Sequence, residues 1–204
     1  AAIHRDNFPQ IRADLNDQKL NQLARVFSAP VLLHSAAPEG SLRNAAASES
    51  VPVMVYEAGE ALRFDEVSIR VAVRGVLNVM HALGMLTRSK SRKVKESFLL
   101  RSSTWVRGSK SGILRAQVKL GDTVSKGDVL GYISEPASQN DVTVEASSDG
   151  IIIGRTNIPL IYEGEALFHI GRTRQATLME EKIDTIMDEN ALTTPELVEE
   201  PMIV

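Results

Sequence analysis

Residues 51–66 read VPVMVYEAGEALRFDE. The first seven are apolar apart from the last and predict a strand buried on both faces. It ends on Glu57, and Ala58-Gly59 follow at once. Asp65 then stands where a helix N-cap belongs. The 64–86 stretch behind it places Val67, Val71, Val76, Val79, Met80 and Leu83 at helical spacing. Outward from this unit the same alternation continues. APVLLHSA (29–36) is a short apolar run after a proline and predicts a second buried strand. Between the two strands, GSLRNAAASES predicts a turn and a short helix from Ser41, favoured by its alanines. Before them, DLNDQKLNQLARVF predicts a helix capped by Asn16 or Asp17, with Leu20, Leu23, Ala24 and Phe27 on one face. Residues 1–14, with Pro9 and several polar side chains, read as a loop. Helices alternating with fully apolar strands predict an α/β domain with a mainly parallel sheet. In such sheets, sites form at the carboxyl ends of strands, where this pattern puts Glu57.

The remaining composition narrows the function classes. The chain has 204 residues, 43% of them hydrophobic and 24% charged, an ordinary globular balance. The net charge of −3 gives no basic surface for nucleic acid or an anionic membrane. There is no cysteine, which excludes disulfides, thiolate zinc sites and a cysteine nucleophile, and fits a cytoplasmic protein. No apolar run approaches the roughly 20 residues of a membrane helix. The polar opening AAIHRDNFPQIRADL holds no signal peptide. Because it begins without Met, an N-terminally truncated chain is expected.

TRSKSRKVKES (87–97) has no apolar period and reads as a solvated connector. From Trp105 the period changes to short alternating runs broken by glycine, an all-β pattern. It repeats. KGDVLGYI (126–133) matches EGEALFHI (163–170), and Ser111-Gly112-Ile113 matches Asp149-Gly150-Ile151. Two copies of a half-barrel explain this economically. The last stretch, from about residue 172, is strongly acidic and reads as a surface helix or an unfolded extension.

The repeat resembles the two half-motifs of the biotinyl/lipoyl carrier domain over residues 105–171. The hairpin between the halves, SEPASQND (134–141), has no lysine, so the attachment residue of a true carrier is absent. A barrel-sandwich module without a swinging arm is the expectation. Taken in order, HRDNFPQIRADL, GSLRNAAASESVPVMVYEAGEALRFDE and the β repeat resemble the succinylglutamate desuccinylase/aspartoacylase family. That resemblance implies part of a metallocarboxypeptidase-like α/β fold over residues 1–86. A linker (87–104), a barrel-sandwich β domain (105–171) and an acidic tail (172–204) would follow.

The resemblance also implies chemistry: a zinc-dependent amidohydrolase acting on small N-acyl amino acids. A metal-bound water attacks the amide carbonyl, and a glutamate takes its proton and passes it to the leaving amine. The family's glutamate ends a buried strand in a Glu-x-Gly setting, which matches Glu57-Ala58-Gly59. From the residues alone, a solvent-facing strand terminator is the leading reading of Glu57, because exposed glutamates are common; the resemblance favours the base. Arg43 matches an arginine that pairs with a substrate carboxylate, a task suited to a planar bidentate cation; read by itself it is an exposed helix arginine. Arg63 is the weaker candidate for that task. The family's zinc is held by a His-x-x-Glu pair and a later histidine, and neither motif occurs here. The ligands are therefore expected upstream of Ala1, with none in this chain. His4 reads as a loop residue or a hydrogen-bond partner near the site, while His34, His81 and His169 read as structural. The rival expectation is a non-catalytic binding or scaffold protein with a degenerate α/β half and a lipoyl-like β module. No nucleic-acid or membrane partner is expected, and a homo-oligomer is left open.

Overall fold

The computed structural model describes residues 3–87, 96–135 and 140–173. The expected acidic tail therefore lies outside the described residues apart from its first two positions. So do most of the basic connector and the middle of the 134–141 hairpin.

The chain opens with two short strands, β1 (Arg5–Asn7) and β2 (Gln10–Ala13), and α1 (Gln18–Phe27). Next come β3 (Val31–His34), α2 (Leu42–Ser48), β4 (Val55–Glu57) and α3 (Glu66–Ala82). The caps follow the sequence: Asp17, Ser41 and Asp65 each accept a backbone N–H from three residues on. The β-rich part begins with β5 (Phe98–Leu100), β6 (Ser103–Arg107), β7 (Gly112–Ala116), β8 (Thr123–Val124) and β9 (Val129–Ser134). It ends with β10 (Asp141–Glu145), β11 (Gly150–Thr156), β12 (Leu160–Ile161) and β13 (Ala166–Arg172).

Three sheets result. One is mixed, in the order β4-β2-β3-β5. Within it β2–β3 and β3–β5 are parallel, but β4 runs antiparallel to β2. The other two, β1-β11-β13-β6 with β8 on β11, and β10-β9-β7-β12, are antiparallel throughout. The sequence repeat appears as two equivalent hairpins, β7 with β9 and β11 with β13. Its paired glycines are sites of close approach. A Cβ on Gly112 would sit 2.6 Å from the Ser134 carbonyl oxygen, and one on Gly150 2.2 Å from that of Gly171.

Side-chain alternation stacks these sheets. Ile11, Ala13 and Leu32 face α1 and α3 in one core with Leu20, Phe27 and Val71. Val31, Leu33 and Phe8 face the other way and pack with Leu100, Ile151 and Ile153. Ile152, between those two isoleucines, points into a third core with Leu130, Ile133 and Phe168. β11 is thus apolar on both faces because it lies between two cores.

This corrects the expected fold class. The molecule consists mostly of antiparallel and mixed sheets with three helices among the described residues. It is not a mainly parallel metallocarboxypeptidase-like sheet followed by a separate barrel-sandwich module. The reason is the N-terminal segment read as a loop. β1 is a strand of the β-rich sheet, paired Arg5↔Thr156 to Asn7↔Gly154. Phe8 continues it, its N–H donating to the Ile153 carbonyl at 3.1 Å. Across Pro9 the chain enters β2 of the mixed sheet, so the two halves share strands and one core.

Candidate functional site

The antiparallel entry of β4 decides where Glu57 lies. Its register partner is Gln10, the first residue of β2. Glu57 therefore sits at the amino ends of β2 and β3, not at the carboxyl edge that an all-parallel sheet would give it. Gln10 and Arg12 share its face of the sheet, since side chains alternate. Arg12 Nη2 lies 2.8 Å from Glu57 Oε2 in a partly buried ion pair. One carboxylate oxygen is thereby fixed, and the side chain has a defined direction. Behind it, Gly59 takes φ +61°, the left-handed region that favours glycine. It exchanges both backbone hydrogen bonds with Asn7, at 2.8 and 3.2 Å. The Glu57 loop is thus pinned to β1.

The surroundings are unusually polar for an interior. Among the described residues, the four buried polar ones, Asn7, Gln10, Thr156 and His169, come from β1, β2, β11 and β13. Gln10 Nε2 donates to the Ile153 carbonyl at 3.2 Å. Gln10 Oε1, Arg12 Nε and His169 Nδ1 are buried with no hydrogen-bond partner. His169 stacks on Trp105 at 4.3 Å with the rings 8° apart, and Arg5 lies over that indole at 5.2 Å. Burial first, then the charges of Arg12 and Arg5, push the His169 pKa down to about 4, so its imidazole is neutral near pH 7. Asp6, on the same short strand as Arg5, is shifted the other way. Burial and then the Asp65 and Glu60 carboxylates raise its pKa, against the Asn7 backbone and Arg155.

Glu60, three residues beyond Glu57, is a tie. It accepts from His4 N at 3.1 Å, Asn157 Nδ2 at 3.1 Å and Arg63 Nε at 3.2 Å. The Asn157 hydrogen bond leads the causes that lower its pKa. Arg63 pairs with Glu60, and its side chain is 73% exposed. His4 holds Glu60 through its backbone.

Arg43 lies in another place. Its Nη1 donates to the Ser35 carbonyl at 3.0 Å and its Nη2 approaches Ser35 Oγ at 3.3 Å. Ser35 follows the carboxyl end of β3, the opposite end of the mixed sheet from Glu57. Arg43 lines a depression of about 340 Å³ with Asp14, Asp17, Lys19 and Val53, and Glu57 is not among its walls. His34 stands nearby. Its Nδ1 accepts from Leu15 N at 3.2 Å, so that nitrogen carries no proton to offer Asp14 at 3.8 Å.

The structure thus joins Glu57 to Arg12 and Gln10, sets His169 within the electrostatic reach of Arg12, and joins Arg63 to Glu60. It does not bring Arg43 to Glu57. The sequence signal for Arg12 is present in QIRA, where Gln10 and Arg12 alternate with Ile11 and Ala13, but four residues beside Pro9 are too few to set a strand apart from a loop. Zinc does not fit the described residues: they hold no group of three His, Asp or Glu able to ligate a metal. Among them no helix is long and apolar enough to cross a membrane.

No family model matches the sequence, and no curated protein matches it either. Solved structures share the fold. EutE, an ectoine utilization protein from Ruegeria pomeroyi in a product-bound form, superimposes with a TM-score of 0.75 at 21% identity over 84% of this chain and 56% of its own. A succinylglutamate desuccinylase/aspartoacylase from Rhodobacter sphaeroides gives 0.68 at 17% over 82% and 54%. An aspartoacylase family protein from Mesorhizobium loti gives 0.65 at 20% over 85% and 55%. The chain therefore spans a little over half the length of these structures.

Proposed function

We propose that this chain, which shares its fold with succinylglutamate desuccinylase/aspartoacylase proteins, carries the proton-transfer carboxylate of a hydrolase that cleaves amide bonds in small N-acylated compounds. The observation that carries the proposal is the Glu57–Arg12 pair at the end of β4. Amide hydrolysis needs a base to deprotonate water and return that proton to the departing nitrogen. Glu57 Oε2 is held by Arg12, which leaves Oε1 to meet water. The β1–Gly59 bridge fixes the strand end, and glycine behind the carboxylate adds no side chain there.

The buried polar groups around the pair suit a polar substrate. Arg43 and Arg63 are assigned, as substrate-carboxylate contacts, a secondary place. Each is engaged elsewhere, Arg43 with Ser35 and Arg63 with Glu60. The zinc ion implied by the resemblance supplies no step here, because its ligands are not among the described residues.

The test is release of free amine from a panel of N-acetyl and N-succinyl amino acids, with and without added Zn²⁺. Glu57→Gln removes the base while keeping the shape and a hydrogen bond to Arg12. It should lower turnover by roughly 100-fold or more, with unchanged far-UV circular dichroism. Unchanged turnover in that variant would take Glu57 out of the mechanism.

A further inference from the structure

Four residues line up across one antiparallel sheet. Asn7 on β1 stands opposite Gly154 on β11, Gly154 opposite His169 on β13, and His169 opposite Trp105 on β6. The bare glycine lets the row close up. A Cβ on Gly154 would lie 3.2 Å from His169 Cβ and 3.5 Å from Trp105 Cη2. The indole therefore leans back over β11 as well as stacking on the imidazole. Arg5, two residues before Asn7, projects from the same face of β1. Its guanidinium reaches across to the Trp105 ring. That guanidinium is partly buried, and among the described residues it takes part in no ion pair and no hydrogen bond. Arg12 acts on the same imidazole as Arg5, but the charge of Arg12 is met by Glu57. His169 is 3% exposed, and its Nδ1 has no partner. Two cations thus face one carboxylate and one neutral ring, which leaves one positive charge over.

We propose that Arg5, seated on Trp105, binds the carboxylate of a small N-acylated amino acid. A guanidinium held partly out of water without an anion costs free energy, and a bound carboxylate removes that cost. The N–H donors of Arg5 form a planar fork that matches the two oxygens of a carboxylate. The contact with the indole holds the group in place through its π face and leaves those donors for a ligand. One spare positive charge suits a monoanion, whereas a phosphate dianion would leave a negative charge uncompensated. Arg43 and Arg63 are engaged with Ser35 and Glu60, and Arg5 has no such tie. The identity of the ligand rests on the hydrolase reading; the anion site itself rests on the Arg5–Trp105 geometry and the charge balance around it.

Trp105 is the sole tryptophan of the chain, so the site carries its own reporter. The full 204-residue chain is titrated with N-acetylalanine and with its neutral amide, N-acetylalaninamide. Binding is read by tryptophan emission and by calorimetry, neither of which needs turnover. The acid should bind saturably and the amide at least roughly tenfold more weakly, as expected for loss of a charged hydrogen-bond partner. Arg5→Gln should weaken binding of the acid by a similar factor and leave the amide unaffected. Arg5→Lys, which keeps the charge and loses the fork, should fall between the two. Arg101→Gln, an exposed arginine on the loop before β6, should bind as the parent does. Equal binding of acid and amide, no binding of either, or binding that Arg5→Gln does not weaken overturns the proposal. Acid-selective binding by a chain that releases no amine supports the site and counts against the hydrolase reading. Turnover whose KM ignores Arg5→Gln supports the hydrolase and overturns the site.

Discussion

Glu57 shows what one side chain reveals and hides. Its place at a strand end before a small residue and a glycine is plain in the sequence. Its ion pair with Arg12 is not, because the partner lies 45 positions away on a strand of only four residues. His169, which lies within the field of Arg12, carries a solution prediction of its own. In the unfolded chain its pKa returns to about 6.5, against about 4 in the fold. Between those values the unfolded chain binds a proton that the folded chain refuses. Stability is therefore unaffected above pH 6.5 and falls as the pH drops from 6.5 towards 4. The loss approaches a limit on the order of 3 kcal/mol. His169→Phe keeps a ring against Trp105 and removes the titration. Its melting temperature should vary less with pH across that window than the parent's, as read by circular dichroism.

At the scale of elements, helices were the most legible. Each has a capping side chain, α1 and α3 add an apolar period and α2 its alanines, so all three fall where their patterns place them. Strands were legible when apolar, as in β3, and invisible when short and polar. β1 and β2 consist of seven residues around Pro9, and their partners β11 and β3 lie elsewhere in the chain. Local periodicity cannot show a pairing of that kind. The end of the basic stretch behaved likewise, since Phe98–Leu100 becomes β5 by pairing with β3.

The α1–α3 contact gives the element-scale prediction. A Cβ on Gly75 would lie 2.2 Å from the Phe27 ring, and that ring is buried. Alanine gains up to about 1 kcal/mol in helix propensity. Overpacking a ring that has nowhere to move costs about 1–3 kcal/mol. The steric term wins, and Gly75→Ala should lower stability in urea unfolding. A more stable variant would mean that α3 shifts freely on α1.

For the whole molecule, the deciding feature is the core shared by the two halves. Phe8, Val31 and Leu33 come from the N-terminal part, and Ile151 and Ile153 from the β repeat. Phe8 is fully buried among them, and Phe8→Ala should cost about 3–5 kcal/mol. Trp105 fluorescence reports on the β-rich part, whereas the helical circular dichroism reports on α1 and α3. Both should unfold at one denaturant midpoint and shift together in the variant. Two separate midpoints would mean that the halves are independent.

By itself the sequence determined the local facts: which segments are helical, where they start, that a glycine-punctuated β repeat follows, and that Glu57 closes a strand. These depend on neighbours within a few residues, where capping, periodicity and turn chemistry act. Only the tertiary structure decided that β4 runs antiparallel, that the N-terminal loop is two strands tying the halves together, and that Arg12 and not Arg43 meets Glu57. Strand direction and pairing are set by burial of both sheet faces at once, a condition on residues far apart in the chain that no local pattern carries.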